Sequence, residues 1–135
     1  MDGDAPDIPS CAEARRVGIR IPDLLVELEA AVGVEETRAF LLRFGGRRIA
    51  VGKNPNAGSP AVVWLRAEVG HGDLLVPFGP LGRAARLRWA IYRLAAEGRS
   101  VNQIAGLVGC HRRTVETAQQ KLRQLGLLHP KGHAR

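Results

Sequence analysis

The residues best suited to chemistry lie between Arg99 and Arg123. Ser100 and Gln103 stand three apart, His111, Arg112 and Arg113 are consecutive, and Glu116, Thr117, Gln120, Lys121 and Arg123 follow at helical spacing. Such a set is ill suited to bond making. It lacks a nucleophile paired with a base, and the chain has no Gly-rich phosphate loop and no nucleophile elbow. It can present hydrogen-bond donors and acceptors along one helix and neutralise anionic oxygens. Metal chemistry is not expected either. Cys11 and Cys110 are about a hundred residues apart, and His71, His111, His129 and His133 are scattered. No Cys/His pair has the close spacing of a structural zinc site. The reading is a non-enzyme without cofactor.

The elements that must position these side chains can be read from residue size and punctuation. Ser100-Val101-Asn102-Gln103 is a capping box that starts a helix over 101–108. Gly109 turns the chain, Arg112–Gln124 makes the last long helix, and Gly126 ends it. Two short helices that cross steeply need small or apolar residues at fixed places. With Val101 as position 1, positions 4, 5, 8, 9, 15 and 18 hold Ile104, Ala105, Val108, Gly109, Val115 and Ala118. This pattern predicts a helix-turn-helix. An upstream helix closes it, with Ala84, Leu87, Ile91, Leu94 and Ala95 on one face and Arg83, Arg86, Arg88 and Arg93 on the rest. Leu122, Leu125, Leu127 and Leu128 are expected to pack back on that helix.

On the second helix, His111, Arg112, Arg113, Glu116, Thr117 and Gln120 point away from the apolar seam. Arg112 and Arg113 occupy the first turn, where cations oppose the helix dipole by ~0.3–1 kcal/mol each. A sequence shaped only for helix stability would place acids there. The arrangement suits insertion of this helix into a DNA major groove, where Arg can bridge guanine O6 and N7. Arg99, Ser100, Gln103, Lys121 and Arg123 are the expected phosphate contacts, and the tail at 131–135 is expected to remain solvated.

Upstream, residues 1–21 read as a flexible acidic arm without clear period, with room for one helical turn. Leu24, Leu25, Leu28 and Val32 define a helix that Gly33 can stop in the left-handed conformation. A second helix from about Glu35 carries Phe40, Leu41 and Phe44 and ends at Gly45-Gly46. Ile49 and Val51 then lie in a candidate strand, flanked by Arg47, Arg48 and Lys53. Asn54–Pro60 is turn chemistry. Ser59-Pro60 can cap and start a brief helix over 61–69 that Gly70 stops, while its core at 62–65 reads equally as strand, and Gly72–Pro77 is a second short extended piece. Ile49-Ala50-Val51 and Leu74-Leu75-Val76 form a faint echo at an offset of 25. The fold class is mainly α with a small β element. Its expected parts are the arm at 1–21, a helical dimerisation region with strand linker at 22–53, a connector at 54–81, and a helix-turn-helix domain at 82–135.

Charge agrees with this division. The 135 residues carry a formal net charge of +7. Residues 1–36 hold three Arg and nine acids, a net of −6, so the remainder carries +13. Such asymmetry points toward a polyanion bound by one part of the chain. No apolar run approaches the ~18 residues of a membrane span, and the beginning is acidic where a secretory signal is basic and then apolar. A reduced, cytoplasmic, nucleoid-associated setting in a bacterial host is expected.

The run Phe44-Gly45-Gly46-Arg47-Arg48-Ile49-Ala50-Val51-Gly52-Lys53, between the Leu24–Phe44 helices and the helix-turn-helix, resembles the Mor/C family of phage-type transcription activators. The resemblance covers roughly 22–53 and 83–121. It implies a DNA-binding homodimer with intertwined N-terminal helices, acting with host RNA polymerase. It also implies that Gly45 and Gly46 open a flexible strand whose Arg47, Arg48 and Lys53 face the DNA backbone or minor groove. The family's aromatic and proline are replaced here by Ala50 and Gly52. Three arrangements of the region after Lys53 stay open: a second strand that takes over the linker, two strands paired within one protomer, or an insertion packing Trp64 into the core. The expected function is a homodimeric, sequence-specific transcriptional regulator, with a small-terminase-type DNA-packaging protein as the alternative.

Overall fold

Gly and Pro residues cut the chain into short helices, each with one buried stripe. The computed structural model describes residues 8–52, 58–70 and 72–129. It is mainly helical, with one small antiparallel sheet and a C-terminal helix-turn-helix. The described elements are α1 (Cys11–Arg16), α2 (Asp23–Val32), α3 (Val34–Phe44), β1 (Arg48–Val51), α4 (Pro60–Val69), β2 (Gly72–Leu75), a 3-10 turn at Gly79–Leu81, α5 (Arg83–Ala96), α6 (Val101–Val108) and α7 (Arg112–Gln124). Lys53, the turn at 54–57 and the tail at 131–135 lie outside the described residues.

The chain divides into two compact units. One comprises Ser10–Ala12 with Ile21–Gly82. In it α2, α3 and α4 pack pairwise, and α4 also packs on β1. Leu25, Leu28, Phe40, Leu41, Ala61, Leu65, Val51 and Val76 are buried. The Glu29 carboxylate accepts hydrogen bonds from the backbone N–H groups of Cys11 (2.7 Å) and Ala12 (3.2 Å). These amides open α1, and an anion there satisfies donors that a helix start otherwise leaves exposed.

Three features of this unit differ from the sequence reading or settle it. The arm's one helical turn is the six-residue α1 at Cys11–Arg16, which begins in this unit with Cys11 fully buried. Gly33 links α2 to α3 at φ 96°, ψ 162°: its φ is positive, as a glycine allows, but its ψ lies outside the left-handed helical well. The Val62–Leu65 segment is helical: Ser59 Oγ caps the Val62 N–H at 3.4 Å and Pro60 takes the first helical position. Ala61 and Leu65 are its buried residues, four apart, while Trp64 is half-buried.

β1 pairs antiparallel with β2 of the same chain, in the register Arg48↔Leu75, Ile49↔Leu74, Ala50↔Asp73 and Val51↔Gly72. Pairing within one protomer, raised above as one of three arrangements, is the one found. Gly46 N–H donates to the Val76 carbonyl at 2.7 Å, and Val76 N–H donates to the Arg47 carbonyl at 2.8 Å. The pairing thus continues past the strands to the Gly45-Gly46 pair.

The second unit joins Glu13–Arg20 to Arg83–Arg135. Its core is Val17, Trp89, Ile91, Ile104, Val115, Ala118 and Leu122. α5, α6 and α7 pack pairwise around it. Leu87, Leu94 and Ala95 pack against this core as expected. Ala84 is exposed, and Ala85 and Trp89 are buried in its stead. Leu122 is inside and Leu127 and Leu128 pack on it, whereas Leu125 is 43% exposed. Val17 is fully buried, and its carbonyl accepts a 3.0 Å hydrogen bond from Arg88 Nη1.

Candidate nucleic-acid interface

The turn between α6 and α7 is fixed from both sides. Gly109 adopts φ 72°, ψ 39°, a left-handed conformation that a Cβ would strain. The Ala105 carbonyl accepts from Gly109 N–H at 3.0 Å and from Cys110 N–H at 3.1 Å, which closes α6 abruptly. At the other end of α6 the capping box is complete. Ser100 Oγ accepts from Gln103 N–H at 3.1 Å, and Gln103 Oε1 accepts from Ser100 N–H at 2.9 Å. The Gln103 side-chain amide NH₂ and the Ser100 hydroxyl proton stay available as donors beside exposed Arg99. Arg99 lies 3.7 Å from Glu97 in an exposed ion pair.

α7 places its side chains by simple rotation. At 100° per residue, Val115, Ala118 and Leu122 define the buried stripe. Arg113, Gln120 and Gln124 lie within about 30° of the line opposite, and Thr117 and Glu116 flank that line on either side. All five are exposed. Arg113, Thr117, Gln120 and Gln124 make no side-chain hydrogen bond or ion pair among the described residues. A groove of about 520 Å³ runs beside the start of α7, with His111, Arg113 and Thr117 on one wall and Leu87 and Arg88 of α5 on the other. The N-terminal half of α7 is therefore open on that side.

The expected site residues thus separate. Arg113, Thr117 and Gln120 form one ridge. Gln124 extends it, and sequence reasoning missed it although the spacing 113, 117, 120, 124 continues to it. Arg112 sits about 90° round from the ridge, on the α6 side. Its Nε donates to Glu116 at 3.2 Å and its Nη1 to Asn102 of α6 at 3.4 Å. His111 is the N-cap of α7 with its side chain uninvolved in capping, and no acid occupies the first turn. Lys121 is exposed and Arg123 half-buried.

Arg47 and Arg48 belong to the other unit, exposed at the start of β1. Ile49 is half-buried and Val51 buried, so this strand is fixed by packing on one face. Gly46, which the resemblance cast as part of a flexible opening, has φ 79° and lies against the Phe78 ring. No group of Cys, His, Asp and Glu that could hold a metal ion occurs among the described residues.

A pair of packed helices joined by a three-residue turn, with a third helix closing their core and a polar ridge on the last, defines a helix-turn-helix domain. In agreement, residues 86–135 match the family profile described as a helix-turn-helix domain. No curated protein and no solved structure matches the chain. The C-terminal stretch is thus a helix-turn-helix domain, a class that implies DNA binding. Among the described residues no helix is long and apolar enough to cross a membrane.

Proposed function

We propose that this protein is a sequence-specific transcriptional regulator that inserts α7 into the major groove of duplex DNA as a homodimer. The observation that carries the reading is the start of α7. Arginines occupy its first turn against the helix dipole, and the exposed ridge of Arg113, Thr117 and Gln120 points away from the buried stripe. Arg113 reads a base, Thr117 and Gln120 add contacts along the groove, and Arg99, Ser100, Gln103, Lys121 and Arg123 hold phosphates. Residues 82–135 carry 11 basic and 2 acidic groups, a net charge suited to this partner.

The unit built from α2, α3, α4 and the sheet serves dimerisation in this reading. Leu42, Leu75 and Phe78 are each more than half exposed there and supply apolar surface for a second copy. The resemblance to Mor/C activators adds a phage-type activator contacting RNA polymerase, with the acidic N-terminal 36 residues turned to protein. Arg47, Arg48 and Lys53 are the backbone contacts that this resemblance adds.

Selection of bound duplexes from a random pool, with the mass of the complex measured in parallel, tests the proposal. A single enriched site bound by two copies supports it. A larger ring with weak sequence preference sinks it in favour of a packaging protein, and binding to no duplex sinks both.

A further inference from the structure

Arg112 is the one basic residue of α7 whose guanidinium spans two helices among the described residues. Its Nε meets Glu116 one turn on, at 3.2 Å, and its Nη1 meets Asn102 on α6, at 3.4 Å. Arg112 and Glu116 keep 62% and 50% of their side-chain surface exposed, so the link lies at the rim and not inside the core. Its position, about a quarter turn from the Arg113 ridge, already aims it at α6. Swinging the guanidinium onto a guanine edge or a phosphate breaks both contacts. It also leaves the Glu116 carboxylate uncompensated next to a polyanion.

We propose that Arg112 is a positioning residue and not a DNA contact: Glu116 and Asn102 hold it as a strut that sets the angle between α6 and α7, and Glu116 thereby acts as a specificity determinant. This rests on the DNA-binding function proposed above. Glu116 works by subtraction. A cation released from the strut would add a sequence-independent attraction to phosphate, which raises affinity for every duplex alike and lowers the ratio of specific to random binding. Pairing it with Glu116 withholds that attraction and leaves discrimination to Arg113, Thr117 and Gln120.

The test uses the full chain, a duplex carrying the selected site and a random-sequence duplex of the same length, over a salt series. E116Q is expected to tighten random-duplex binding by about two- to five-fold and to steepen the log–log salt slope by about 0.9, one phosphate contact. R112A with E116Q removes both charges of the pair and is expected to leave the random-duplex affinity and its salt slope unchanged, and R112K is expected to lose the coupling to Asn102 because an ammonium lacks the two-sided fork. In the protein without DNA, double-mutant cycles between Arg112 and Glu116 and between Arg112 and Asn102 are expected to show coupling, about two- to five-fold together in the unfolding equilibrium. A salt slope flattened by about 0.9 in the double variant R112A with E116Q would make Arg112 a phosphate contact, and relaxed preference at a single base pair would make it a base reader. Either overturns the proposal, as does zero coupling in both cycles. Failure of the unmutated chain to bind any duplex would defeat the DNA-binding function and, with it, the specificity role of Glu116. The cycles would then decide the strut alone.

Discussion

The Phe78 ring lies so close over Gly46 that a Cβ added at Gly46 would fall 2.3 Å from its Cζ. The two residues are joined through the sheet as well, since Gly46 N–H donates to the Val76 carbonyl two residues before Phe78. The Gly pair that ends α3 is therefore a packed corner between α3, β1 and the chain after β2. Its glycine is required twice, by φ 79° and by the ring.

Gly46→Ala should destabilise the chain by roughly 1–3 kcal/mol, through overpacking and the positive φ together. In G46A combined with F78A the clash is gone and only the dihedral cost remains. Chemical denaturation of G46A, F78A and the double variant checks this. Equal stability of G46A and the unmutated chain would show that the ring moves aside at no cost.

Arg113→Ala should weaken binding at the selected site by ~1–3 kcal/mol and relax preference at one base pair, as loss of a bidentate base contact does. Binding to random duplex should change much less. Comparing affinities on single-substitution site variants separates this from a phosphate contact, which would cost the same on every sequence.

Ser100 holds two roles that one pair of substitutions can part. Ser100→Ala removes the acceptor for Gln103 N–H and should cost ~0.5–2 kcal/mol of stability. Ser100→Asp keeps an acceptor of similar reach and suits the helix start, so stability should hold. DNA binding should nevertheless fall, because a carboxylate would then face phosphate. Melting curves and duplex affinities measured together check both halves.

Val17→Ala should destabilise the helix-turn-helix unit by roughly 1–3 kcal/mol, although Val17 lies far from it in sequence. The chain has one tryptophan in each unit, Trp64 and Trp89. In a Trp64→Phe background, fluorescence of the core residue Trp89 reports this unit alone. An unchanged Trp89 transition would show that Val17 contributes nothing to that core.

What could be read from the sequence was what neighbouring residues decide among themselves. Ser100 and Gln103 specify their reciprocal cap within four positions, and Gly109 specifies its turn alone. The apolar slots at Ile104, Val115 and Ala118 follow from one helical period, and all three are buried. The ambiguity over Val62–Leu65 came from β-branched residues whose apolar run suits either period. The Ser59-Pro60 start was legible and is found, and the burial of Ala61 and Leu65, four apart, decides the period in favour of a helix. Val17 was illegible because its partners are some seventy or more positions away, as its carbonyl bond to Arg88 illustrates. The engagement of Arg112 was illegible for a related reason. Its distance to Asn102 exists only once α6 and α7 have taken their angle, so spacing along α7 could place it equally among the outward-pointing residues.

The participation of Val17 in the Trp89–Leu122 core bears on how this protein can be recombined. The stretch recognisable as a helix-turn-helix begins near residue 86, yet one fully buried side chain of its core and the acceptor for Arg88 come from residue 17. A chimera that borrows the C-terminal stretch as a portable cassette leaves behind part of its own interior. Exchange of specificity between such chains, by an engineer or by a crossover within a gene, therefore works best in the recognition helix itself or with both distant segments moved together.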